Sequence, residues 1–154
     1  MKRVVALIAM MMFVCSLTTV AWAENATQNE VITKCVAAAQ LIKDKGVNAA
    51  IQAIGSKTGP FVWKDSYVFL MDMDGNMLAH PLAPELSQRK DLLTVKNSDG
   101  KYLFKEFLKV ANEKNVGWVD YMFPKPGQET PVAKSTYVLR VYGTHYIVGA
   151  GIYK

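Results

Sequence analysis

Chemistry-bearing side chains are scarce in this sequence. Among 154 residues there are two histidines, His80 and His145, and two cysteines, Cys15 and Cys35. Histidines so far apart in the chain give no metal-ligand spacing, and no Ser-His-Asp set, paired carboxylate motif or phosphate loop accompanies them. Neither an enzyme nor a cofactor is expected. Asp72-Met73-Asp74-Gly75-Asn76 looks superficially like a calcium loop. That pattern needs glycine at its sixth position and glutamate at its twelfth, whereas here Gly75 is fourth and the twelfth residue is Ala83. Charge of one sign is lacking too. Lysines alternate with acids, as in Lys101, Lys105, Glu106, Lys109, Glu113 and Lys114, which makes a solvated helix face and not a stripe for phosphates. Nucleic acid is not an expected partner.

One long apolar run is present, and it lies at the N-terminus. Lys2 and Arg3 precede Val4–Val20, and Ala21-Trp22-Ala23 then supplies a small-x-small cleavage pattern before Glu24. The expectation is a signal peptide over residues 1–23, cut after Ala23, and a periplasmic or secreted protein. An uncleaved anchor stays open, because the run is nearly long enough to span a bilayer. With Lys2 and Arg3 gone, 16 of the 18 basic residues face 13 acidic ones, a formal +3 in place of +5. Cys15 leaves as well, so Cys35 alone remains and no intramolecular disulfide can form.

The rest reads as one domain, residues 24–154, of the α+β class. Val31, Ile32, Cys35, Val36, Ala39 and Ile42 form a one-sided apolar stripe. They predict a long packing helix that bends at Gly46 and resumes to a C-cap at Gly55, with Cys35 buried and inert. Ser66–Met73 and Asn76–His80 predict a hairpin across Asp74-Gly75, whose two central positions call for positive φ. Leu82–Asn97 has no period beyond a helical turn near Pro84–Arg89, and a loop this long is expected to serve as a lid or binding segment. Lys101–Lys114 predicts an amphipathic helix capped by Ser98 or Asp99. A three-strand meander follows: Val116–Phe123, Val132–Tyr142 and His145–Tyr153. Gly149 and Gly151 in its last strand leave room for a close neighbour or a ligand.

The connector Pro124–Pro131 holds three prolines and a glycine, and Trp118, Tyr121, Phe123, Lys134 and Tyr137 crowd the hairpin it joins. Aromatic walls with one cation suit a small-ligand pocket; paired-strand aromatics as plain core, with a solvated lysine, are the competing reading. Lys134 and Tyr137 have opposite strand parity, so both can face one ligand only across a bulge.

The succession DMDGNMLAHP (72–81), KDLLTVKNSDGKYLFKEF (90–107), GWVDYMFPKPGQETPVAKSTYV (117–138) and VGAGIY (148–153) resembles the Cache family, in its single-Cache type from bacterial chemoreceptors and sensor kinases. The resemblance covers essentially all of residues 24–154. It implies a PAS-like fold: an antiparallel sheet of about five strands, a long N-terminal helix packed on it, and a ligand cavity on the other face. It also implies a small organic carboxylate as ligand, of the acetate, propionate or lactate kind. Carried over, the ligand-binding residues are His80, Tyr121, Lys134 and Tyr137, with Trp118 and Phe123 as walls. Arg89 stands where the family usually has glycine and is considered as a second cation. Phe123 replaces a usual tryptophan, and Asn97 a common aspartate.

After Lys154 the sequence shows no second span and no output module. The expectation is a free-standing sensor acting with a separate membrane sensor or transporter partner, and it leaves a homodimer through the long helix open. The alternatives are a periplasmic interaction or accessory module with a vestigial pocket, or a hydrolase or isomerase using Tyr121 and Lys134.

Overall fold

The structure, a computed structural model, describes residues 24–154. The expected signal peptide and its cleavage site lie outside the described residues.

Helix α1, Gln28–Gly55, begins at a capping box. Thr27 accepts from the Glu30 amide at 3.3 Å while Glu30 accepts from the Thr27 amide at 2.8 Å, so two otherwise unpaired helix-end donors are satisfied. Its buried positions, Val31, Cys35, Ala38, Ile42, Ala50 and Ile54, follow the helical repeat. Gly46, with φ 82°, interrupts the helix where the sequence placed the bend, a conformation that L side chains avoid. The helix ends at Gly55 with Ser56 as an extended cap, and Gly55 itself does not take the left-handed form.

Strand β1, Val62–Trp63, precedes β2, Ser66–Asp72, and β3, Met77–Ala79. The β2–β3 turn is not of the expected kind. Gly75 has φ 90°, but Asp74 does not share it. The Asp72 carboxylate shapes the turn instead, accepting from the Asp74 amide at 3.0 Å and the Asn76 amide at 2.8 Å. Two short 3-10 turns, Pro84–Gln88 and Leu92–Thr94, punctuate the long loop. Helix α2, Leu103–Lys114, starts later than its polar pattern suggested; its N-cap is Tyr102, and no side chain caps it.

Strands β4, Val116–Pro124, β5, Pro131–Arg140, and β6, Tyr146–Tyr153, complete an antiparallel sheet in the order β1-β2-β6-β5-β4, with β3 on β2. There are six strands where about five were expected; the two-residue β1 is too short to leave a pattern in sequence. The sheet separates two apolar clusters. One holds α1 with Val68, Leu70, Val148 and Ala150; the other holds α2 with Phe69, Met71, Val138 and Ile147. Alternation along each strand sends neighbouring residues to opposite clusters. The side bearing α2 and the long loop keeps the hollow that reaches Lys134.

Candidate ligand-binding site

Strand pairing assembles the site. Lys134 stands opposite Tyr121 on β4 and opposite Tyr153 on β6. Parity puts Tyr121 and Phe123 of β4, Lys134 and Thr136 of β5, and Gly151 and Tyr153 of β6 on one face. On β2, Tyr67 and Phe69 share that side. The unbranched space beside Lys134 exists because residue 151 is glycine: a β-carbon there would lie 2.5 Å from Lys134 Cε and 2.6 Å from Thr136 Oγ1.

Lys134 is only 3% exposed. Its Nζ donates to the Tyr153 hydroxyl at 3.1 Å and the Tyr67 hydroxyl at 3.2 Å. It also lies 4.5 Å from the Tyr67 ring centre, 4.6 Å from Tyr153 and 5.1 Å from Phe123, within cation–π range. Among the described residues it joins no ion pair. Burial pushes its pKa down to about 7, with Asp65 pulling the other way. A lone ammonium held by neutral partners is costly unless an anion arrives.

His80, 6% exposed, closes the same space. Its Nδ1 accepts from the Ala83 amide at 2.9 Å, so the neutral ring carries its proton on Nε2 and keeps a donor. Burial, with Lys134 beside it, holds its pKa down at about 3. Its ring packs on Tyr67 at 4.6 Å. Tyr121 is committed elsewhere, bonded to the Thr136 hydroxyl at 2.8 Å, and burial pushes its own pKa up.

The hollow has two parts. An inner chamber of about 20 Å³ touches Lys134, Tyr121, His80 and Gly151. That is room for about one water. An outer cleft of about 280 Å³ is lined by Leu82, Ala83, Pro124, Lys125, Pro126 and Tyr153. Tyr67, His80 and Phe123 border both parts and form the partition between them. The loop residues Leu86, on the chamber, and Leu82 and Ala83, on the cleft, give the long loop its place as a wall.

Of the residues singled out in sequence, the structure brings His80, Tyr121, Phe123 and Lys134 together. Trp118 and Tyr137 pair with each other, ring centres 5.3 Å apart, against the α1 cluster on the opposite face. The β4–β5 register runs without a shift from Val116↔Leu139 to Pro124↔Pro131. The bulge that Tyr137 needed to join Lys134 is absent from that pairing. Arg89, considered as a second cation, instead forks onto Asp91 at 2.7 and 2.8 Å on the surface, held by that charge-assisted pair. Tyr67 and Tyr153, the hydroxyl partners of Lys134, escaped sequence reasoning. Strand parity with Phe69 and Gly151 could have found them. Among the described residues no group of His, Cys, Asp and Glu is arranged to hold a metal.

Residues 31–154 match the family model dCache_2, described as Cache domain. The methyl-accepting chemotaxis protein McpP of Pseudomonas putida is 35% identical over 89 residues, 58% of this chain and 16% of that protein. The sensor histidine kinase MctS of Rhizobium johnstonii is 29% identical over 90 residues, 58% of this chain and 19% of that protein. The match therefore spans less than about a fifth of either relative. A solved Cache chemosensory domain, described for its carboxylic acid recognition, superposes with TM-score 0.64 at 28% identity, covering 79% of this chain and 84% of that one.

Proposed function

The chain belongs to the Cache domain family, and from that premise we propose that it is an exported, periplasmic sensor-type domain that binds a short organic carboxylate beside Lys134. It passes the occupied state to a separate membrane partner. Catalysis has no part in this reading.

One observation carries it: a nearly fully buried ammonium with no carboxylate in ion-pair range among the described residues. Two phenol oxygens hold it, and His80, whose Nδ1 is taken by the Ala83 amide, lines the same chamber. An entering carboxylate supplies the missing counter-charge, takes the third Nζ hydrogen and the His80 proton donor, and restores full protonation of Lys134. The similar solved domain that recognises carboxylic acids supports the ligand class. The chemotaxis and kinase relatives support the sensing role. Among the described residues no helix is long and apolar enough to cross a membrane.

A second reading, an interaction module with a vestigial pocket, draws on the chamber's size of about 20 Å³. A carboxylate needs more room than one water, so the partition of Tyr67, His80 and Phe123 has to yield on binding. Titration calorimetry with acetate, propionate and lactate separates the two readings. Binding in the wild type that disappears in a folded Lys134→Ala variant upholds the sensor. Silence towards every carboxylate leaves the interaction module.

A further inference from the structure

The outer cleft has a cation of its own. Lys125 lines the cleft but not the chamber, and Lys134 lines the chamber but not the cleft. The partition residues stand between the two spaces, and the cleft walls are largely apolar: Leu82, Ala83, Phe123, Pro124 and Pro126. No acidic side chain lines either part, and the nearby carboxylate is Asp65, which pairs with Lys125 from outside the lining. The joined hollow is therefore cationic at both ends and apolar in the middle.

Lys125 is also weakly held. Its Nζ stands 3.5 Å from Asp65 Oδ2 and 3.5 Å from Asn25 Oδ1, well beyond the 2.7–2.9 Å or so of a charge-assisted bond. The Asp65 Oδ2 makes no hydrogen bond, while its Oδ1 is already taken by the Ala26 amide at 2.8 Å. The Lys125 Nζ lies over the Tyr153 ring, 5.4 Å from its centre, and prolines on both sides fix the backbone that carries it. This ammonium is paired with Asp65, but the pair is long and leaves Nζ hydrogens free for a further acceptor.

We propose that Lys125 is a second anion-reading residue of the site, and that the ligand is a short dicarboxylate whose far carboxylate meets Lys125 while the near one meets Lys134. The methylenes between them lie against the apolar cleft walls. The inference rests on the carboxylate reading of the Lys134 end. It differs from that reading in assigning a chemical class to the other end of the ligand.

Succinate and butyrate share a four-carbon chain and differ by one carboxylate, so calorimetric titration of the purified protein with each isolates that group. Succinate is expected to bind about two- to fivefold more tightly than butyrate, the yield of one partly screened charge pair. The ratio should fall to near one in Lys125→Gln and survive in Lys125→Arg, with ligand-free melting curves confirming that both variants fold. Equal binding of the two acids by the wild type overturns the inference, as does an unchanged ratio in Lys125→Gln or a lost one in Lys125→Arg. If acetate, propionate and lactate bind but succinate gains nothing, only the second subsite falls. If no carboxylate binds at all, the reading of Lys134 falls and takes this one with it.

Discussion

Replacing Lys134 with methionine, which keeps length and apolar stem but removes the charge, probes the cost of an unpaired buried ammonium. In the folded chain its pKa is held at about 7, against 10.5 for the free side chain. Between those values the unfolded chain binds the proton and the folded chain does not, so the ligand-free protein gains stability as pH rises. The penalty is fully present below about 7 and vanishes above 10.5. Linkage over that interval, with Lys134 half-titrated at its lower end, makes the wild type about 2 kcal/mol more stable at about pH 9 than at about pH 7. His80 does not enter this window, because its pKa is depressed below the ordinary 6.5 and its contribution is lost only as pH falls. The buried phenols of Tyr67, Tyr121 and Tyr153 have raised pKa values and turn the trend downward above their ordinary 10. Urea unfolding of both proteins at the two pH values reads the effect. Lys134→Met should be the more stable protein at about pH 7, by about 2–4 kcal/mol, and should lose the rise towards pH 9. A flat wild-type profile, or an equal rise in the variant, would refute the idea that an uncompensated ammonium lies inside.

Two further outcomes follow from the same geometry. Carboxylate affinity should weaken by about tenfold per pH unit above about 7, as Lys134 loses its proton, a trend that calorimetry at several pH values would read directly. Gly151→Ala should cost about 1–3 kcal/mol and cut carboxylate binding at least tenfold, since the new methyl must displace Lys134 Cε or Thr136 Oγ1; melting and titration of the variant test both halves.

Much of this architecture was legible because its signals are local and periodic. The α1 stripe, the break at Gly46, the β2–β3 hairpin and the three closing strands all announce themselves within a few residues. Gly149 and Gly151 proved informative for the stated reason: a β-carbon at the first would run into Phe69, and at the second into Lys134. What sequence obscured depends on pairing across long separations. Tyr67 and Lys134 meet only because β6 lies between β2 and β5. The placement of Tyr137 turned on whether a bulge intervenes, and register is set by the facing strand, not by the residue itself. Asp65 and Lys125 were invisible as a pair, since a turn and a proline-bounded connector carry them to the same corner. The missing cap on α2 is a local matter instead: Asn97 Oδ1 accepts from the Lys101 amide at 2.9 Å, ahead of the helix, and no side chain caps Leu103–Lys114 itself.

The strand that comes latest in the chain is also the one nearest the middle of the sheet. During synthesis β2 and β5 must therefore wait, their facing edges open, until Tyr146–Tyr153 has emerged and slotted between them. Such long-range closure is slow and leaves an interval of exposed edges. Tyr153, on that strand, accepts from Lys134 Nζ at 3.1 Å. The surroundings of Lys134 are thus complete only once β6 has paired with both of its neighbours.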